Sequence, residues 1–153
     1  TKEIRYHQMT IVDYIGTIAT QLGMTFVHGT KAWQNLDDEK TGGDDEGILF
    51  LDEPITSNDT LHQSGFIEAA YPLKMLFLKK NNLDATPDQL QVVIQAMRDK
   101  ARKAIILMQN DNDNVRTVTG STRTDVMNVM DMNMSGCLSE LTVTPRDNSS
   151  ICV

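Results

Sequence analysis

The sequence predicts an α+β domain, with a mainly antiparallel sheet packed against one long helix and one N-terminal helix. Three observations carry that reading. Residues 86–109 repeat apolar side chains at helical spacing behind a complete helix start signal. Residues 65–79 alternate apolar and polar side chains with the period of two that marks a strand. The remaining strand-like stretches are short, lie between polar turns, and suit hairpins with the helices gathered on one face.

Residues 2–22 read as the first helix. Ile4, Ile11, Ile15, Ile18 and Leu22 form its stripe, widened by Val12 and Ala19, and Gly23 stops it. Gly16 and the β-branched content weaken this helix in isolation, so packing must hold it. Residues 24–28 are a short strand ending at Gly29. A polar connection over 35–47 follows, with Asp37, Asp38, Glu39, Gly42, Gly43, Asp44, Asp45 and Glu46, a composition that predicts a mobile acidic loop. Residues 48–51 resume strand character and stop at Pro54, and 56–64 are polar and turn-like.

In the 65–79 strand, Ile67, Ala69, Tyr71, Leu73, Met75 and Phe77 share one face, while Glu68 and Lys74 lie on the other. Pro72 lacks a ladder donor and predicts an edge position or a bulge. In the long helix, Thr86 caps the free N–H groups, Pro87 fits the first position and Gln89 closes a capping box. Leu90, Val93, Ile94, Met97, Ala101, Ala104, Ile105 and Met108 form its buried face. Gln91, Gln95, Asp99, Lys100, Lys103 and Gln109 lie opposite, without concentrated charge, on a helix about 35 Å long.

Residues 110–114 are an Asp/Asn turn, and 115–119 a strand bounded by Gly120. From 126 to 143 the pattern is β-like but changes phase: Met127 and Val129 share one parity, Met130, Met132 and Met134 the other. A bulge or bend near Asn128, or a short helical turn, accounts for the shift. Cys137, Leu141 and Val143 then alternate up to Pro145, and 145–153 read as a loose C-terminal arm. The whole of 1–153 reads as one domain without internal repeats.

Composition narrows the function classes. The chain has 153 residues, 40% of them hydrophobic and 23% charged, which are ordinary globular values. Folding at this size buries roughly 68–70% of the unfolded surface, so no metal or disulfide set is demanded. Net charge is −7, which disfavours a phosphate-backbone binder, because such binders need a basic surface. No apolar run approaches the roughly 20 residues of a membrane span, and the opening residues lack an apolar signal segment, so neither membrane insertion nor secretion is expected. A chain beginning at Thr1 suits removal of an initiator Met. Cys137 and Cys152 lack metal-ligand spacing and are expected to stay reduced.

The chemistry-bearing residues do not assemble into a known catalytic pattern. An EF-hand reading of Asp111-Asn112-Asp113-Asn114-Val115-Arg116 fails, since Val115, Arg116 and Thr122 stand at its fifth, sixth and twelfth positions. An Asx turn ending the helix is the favoured reading. His7, His28 and His62 share no ligand spacing with each other or with either Cys. No nucleophile elbow, P-loop or dinucleotide fingerprint occurs. Asp44, Asp45 and Glu46 suit a solvated loop tip better than a rigid carboxylate pair. The methionines of 127–134 exceed what one small core needs, so Met130, Met132 and Met134 are read as a subunit-contact surface. No catalytic residue, metal or cofactor is expected.

The element order resembles that of phage tail-terminator and neck proteins: an amphipathic first helix, strands around a long loop, a long strand ending Leu76-Phe77-Leu78, one dominant helix, then closing strands. The ending Ser135-Gly136-Cys137-Leu138, an alternating strand, then Arg146-Asp147-Asn148-Ser149-Ser150-Ile151-Cys152, is similar to the ends of structural proteins from phages of Bacteroides-type hosts, including the crAss-like group. The resemblance implies a tail-terminator-like fold and a non-enzymatic virion component, assembled in the host cytoplasm. It would form a sixfold or twelvefold homo-oligomeric ring between portal, neck and tail proteins. It also implies that DNA passes through the lumen without specific binding, which Asp44, Asp45 and Glu46 would favour if the loop points inward. The loop and the arm, with Arg146 and Ile151, would reach neighbouring subunits. Two other readings stay open on the residues alone. One is a small cytosolic α+β ligand-binding or regulatory module, the other an enzyme using His28 and His62 or the acidic loop.

Overall fold

The computed structural model describes residues 9–29, 47–52, 55–81, 84–129 and 134–146. Their order is α1 (Ile11–Gln21), β1 (Thr25–His28), β2 (Ile48–Leu51), β3 (Asn58–Leu61), β4 (Ile67–Lys80), α2 (Pro87–Asn110), β5 (Val115–Val129) and β6 (Met134–Pro145). The chain is α+β, with a mixed six-stranded sheet and two helices among the described residues.

Local signals set the helix ends. Thr10 caps α1 by accepting from the Asp13 N–H, and Leu22 ends it. The predicted start of that helix at residue 2, with Ile4, lies outside the described residues. α2 carries the full capping box, with Thr86 accepting from the Gln89 N–H and the Gln89 side chain accepting from the Thr86 N–H. Ile94, Met97, Ala101, Ala104 and Met108 are its buried positions, all on the predicted stripe.

The strands run in the order β1-β2-β4-β6-β5, with β3 paired to β4 beyond the end of β2. β1 and β2 are parallel and every other pair is antiparallel. Both helices cover one face. α2 lies over β4, β6 and β5, and α1 over β1 and β2 beside it. The core between them joins Ile15, Ile18, Met97, Ala101, Ala104 and Met108 to Leu49, Leu51, Leu73, Met75, Phe77, Cys137, Leu141 and Val143. Each Val, Leu, Ile, Phe or Met among them contributes about 1.5–3 kcal/mol when fully buried. On the reverse face, Ile48, Leu78 and Met134 form a smaller cluster with Val27, Leu76 and Val126 against it. That face turns polar towards the other end, where Lys74 stands opposite Glu140 and Pro72 opposite Thr142.

Three local expectations need correction. Residues 58–61 are strand β3 rather than turn, because their backbone pairs with Ala70 through Ile67 although all four side chains are exposed. β5 does not end at Gly120. That glycine has φ +68 and, with Ser121, stands opposite Leu141, so the strand bulges and continues. The 126–143 stretch is not one run but the close of β5 and the whole of β6, antiparallel to each other. Of the two accounts offered for the phase change near Asn128, the structure has the bulge, since the register skips between Val126 and Val129.

Pro72 lies in the central strand β4, with no bulge against β6. On its other side, β2 pairs only with Met75–Leu78 and β3 only with Ile67–Ala70. The Lys74 carbonyl accepts from the Asp52 N–H, so Pro72, two residues away, points its missing donor to that same side and into the gap. The edge that Pro72 requires is therefore local.

Candidate interaction surface

The β3–β4 hairpin forms because its turn is closed by backbone bonds. The His62 N–H donates to the Phe66 carbonyl at 2.9 Å, and the Gly65 N–H donates to the His62 carbonyl at 3.1 Å. The rings of His62 and Phe66 sit 5.4 Å apart. Ile67–Ala70 pair with β3, whereas the pairing of β4 with β6 begins only at Tyr71, so the hairpin extends past that ladder. Four paired residues give an arm about 13 Å long. At its end Leu61 and Ile67 are cross-strand partners, 75% and 43% exposed.

The arm is tied near its turn, at Glu68, which stands opposite Thr60. Glu68 accepts from Arg116 of β5 at 2.6 Å, and His62 Nε2 lies 3.6 Å from the same carboxylate oxygen. Arg116 reaches it from the bulge between Val115 and Thr117. Asp59, on β3, is exposed without a partner among the described residues.

A second exposed surface is the outer side of α2. Val92 and Ile106 are 71% and 42% exposed there, with Asp99, Arg102 and Lys103 between them. Basic residues concentrate on this half of the helix, contrary to the expectation of dispersed charge. Arg98 pairs with Asp125 of β5 at 2.5 Å, and Lys100 donates to the Leu22 carbonyl at the end of α1. Arg102 and Lys103 remain exposed, without ion-pair partners among the described residues.

Two buried polar positions lie under α2. Cys137 is a free thiol on β6, and burial pushes its pKa up despite the nearby Arg98 and Arg123. Ser139 Oγ, two residues on, is buried without a hydrogen-bond partner among the described residues. Where the two helices meet, the Tyr14 hydroxyl donates to Asp111 at 3.0 Å. Burial, then that bond and the negative charge of Asp111, hold the phenol proton well above its ordinary range. Asp111 also accepts from the Asn114 side chain, so the Asp/Asn segment is a helix-ending turn as expected.

Among the residues expected at interfaces, Met134 is 2% exposed and packs with Ile48 and Leu78, so its surface faces the chain's own interior. Arg146 is exposed, its N–H donating to the Asn114 carbonyl. Asp44, Asp45, Glu46, Met130, Met132 and Ile151 lie outside the described residues, as do His7 and Cys152. His28 stacks on Phe26 in β1, whereas His62 sits in the hairpin turn. Among the described residues, no three His, Cys, Asp or Glu side chains are grouped to hold a metal, and no helix is long and apolar enough to cross a membrane.

Sequence reasoning missed the hairpin because its β3 half, Asn-Asp-Thr-Leu, carries no apolar alternation. The available signal was the lone Leu61 facing Ile67 across a glycine-containing turn. No family model and no curated protein matches the chain.

Proposed function

We propose that this chain is a structural virion protein, a subunit of a ring in the head–tail connector, neck or tail terminator that joins portal-side and tail-side components around the DNA channel. The observation that carries the reading is the projecting β3–β4 hairpin with Leu61 and Ile67 uncovered at its end. Burying a leucine side chain contributes about 1.5–3 kcal/mol, so leaving one in water on a tied arm suits contact with another protein. The order of elements, with strands and long strand preceding one dominant helix, supports the same assignment. The net charge of −7 agrees with a channel wall that lets DNA pass without holding it. The outer face of α2 supplies a further exposed surface, as a subunit in a closed ring must meet neighbours on two sides.

Light scattering of the purified protein, followed by negative-stain imaging with its virion neighbours, tests the proposal. Rings alone or on assembly with those neighbours are expected. Protein that stays monomeric and never enters virions overturns it.

A further inference from the structure

We infer that the β3–β4 hairpin of one copy seats on the outer face of α2 of the next copy, making the head-to-tail contact of the assembly. The inference rests on the ring reading above and names its partner surface. A head-to-tail contact needs two different, complementary patches on one chain. The described residues carry such a pair on separate elements. The hairpin offers apolar Leu61 and Ile67 beside acidic Asp59, which has no partner among the described residues. The outer face of α2 offers apolar Val92 and Ile106 around basic Arg102 and Lys103, which have no ion-pair partner among the described residues, while the Asp99 beside them accepts from Gln95.

Charge selects a second copy as the occupant. The chain is acidic overall at −7, so two copies repel except where a basic patch meets an acidic one. The other basic groups on this half of α2 are already engaged, Arg98 by Asp125 and Lys100 by the Leu22 carbonyl. Arg102 and Lys103 are left to face outward. The Arg116–Glu68 pair ties the arm to β5, which reduces the ordering needed on docking.

Site-specific cross-linking tests the contact. Leu61→Cys and Ile106→Cys, each in a Cys152→Ser background, are mixed under assembly conditions and treated with a short bis-maleimide. Cys137 is buried and stays out of the reaction. A mixed 61–106 adduct as the dominant product supports the contact. Asp59→Lys should weaken association about tenfold, and the double charge reversal Arg102→Glu with Lys103→Glu on the partner copy should restore it. Assembly without that adduct, or a dominant 61–61 adduct, overturns the contact while the ring reading stands. Variants and wild-type protein that never associate, even with virion neighbours, overturn both.

Discussion

Gly136→Ala should destabilise this protein severely, and the reason is a backbone clash rather than lost flexibility. A Cβ built on Gly136 would lie 1.8 Å from the Phe77 carbonyl oxygen, 2.9 Å from its carbon and 3.0 Å from Cγ of Met97. Met97 can turn aside, but the Phe77 carbonyl belongs to β4, held between β2 and β6. Bringing that contact out to 3.0 Å requires the two strands to part by about 1.2 Å. A ladder bond of about 2.9 Å then stretches to about 4 Å, beyond hydrogen-bond range. Losing about three such bonds at about 1 kcal/mol each gives about 3 kcal/mol, a large share of the roughly 5–15 kcal/mol that holds a domain. Gly65→Ala is the matched control. Gly65 has φ +81 with nothing within 4 Å of the added Cβ, so only the left-handed backbone is penalised, by roughly 1–2 kcal/mol. In urea, with a slope of about 2 kcal/mol/M, the midpoint should fall by about 1.5 M for Gly136→Ala and by about 0.5–1 M for Gly65→Ala. A Gly136→Ala midpoint within about 0.3 M of wild type, or a larger fall for Gly65→Ala, would refute the close-approach argument.

Ser139→Ala should leave stability unchanged or raise it by up to about 1 kcal/mol in the same urea assay, because it removes a buried hydroxyl that has no partner among the described residues. Tyr14→Phe should cost about 1 kcal/mol near neutral pH, because it removes the hydrogen bond that the Tyr14 hydroxyl donates to Asp111. The pH dependence has a definite sign. The folded phenol keeps its proton above the ordinary value of 10.0, so the stabilisation is complete below pH 10 and declines as pH rises beyond it. Cys137, raised from 9.0, adds a decline that begins earlier, and Tyr14→Phe should abolish only the later part of the alkaline slope in melts at stepped pH. In a Cys152→Ser background, the Cys137 thiol should react with a disulfide reagent at pH 8 only once the protein is unfolded in urea, and fast labelling of the native protein would contradict its burial.

The span, caps and buried face of the long helix were legible. Its capping box and apolar spacing are interactions between near neighbours in sequence, so the residues that define Pro87–Asn110 also suffice to predict it. The same holds for the helix-facing side of β4, where Leu73, Met75 and Phe77 alternate in the sequence and in the structure. Burial on the second face of that strand was less legible, since Leu76 and Leu78 serve a reverse-face cluster with Ile48 and Met134 drawn from distant segments. Met134, expected at a subunit contact, packs there because β6 brings it opposite the end of β4.

What the sequence determined by itself was the α+β class, the helix and strand that anchor it, and the acidic balance of the chain. Those follow from local periodicity, capping and composition, which need no partner. The tertiary structure alone decided where strands end and which surfaces stay open. Pairing is a contact between distant residues, so a polar run such as Asn58–Leu61 becomes a strand only when Ile67–Ala70 lie beside it. Gly120 becomes a bulge rather than a stop only because β6 continues past it. Arg102 and Lys103 likewise stand out as basic groups without an ion-pair partner among the described residues only after Asp125 and the Leu22 carbonyl have engaged their neighbours Arg98 and Lys100.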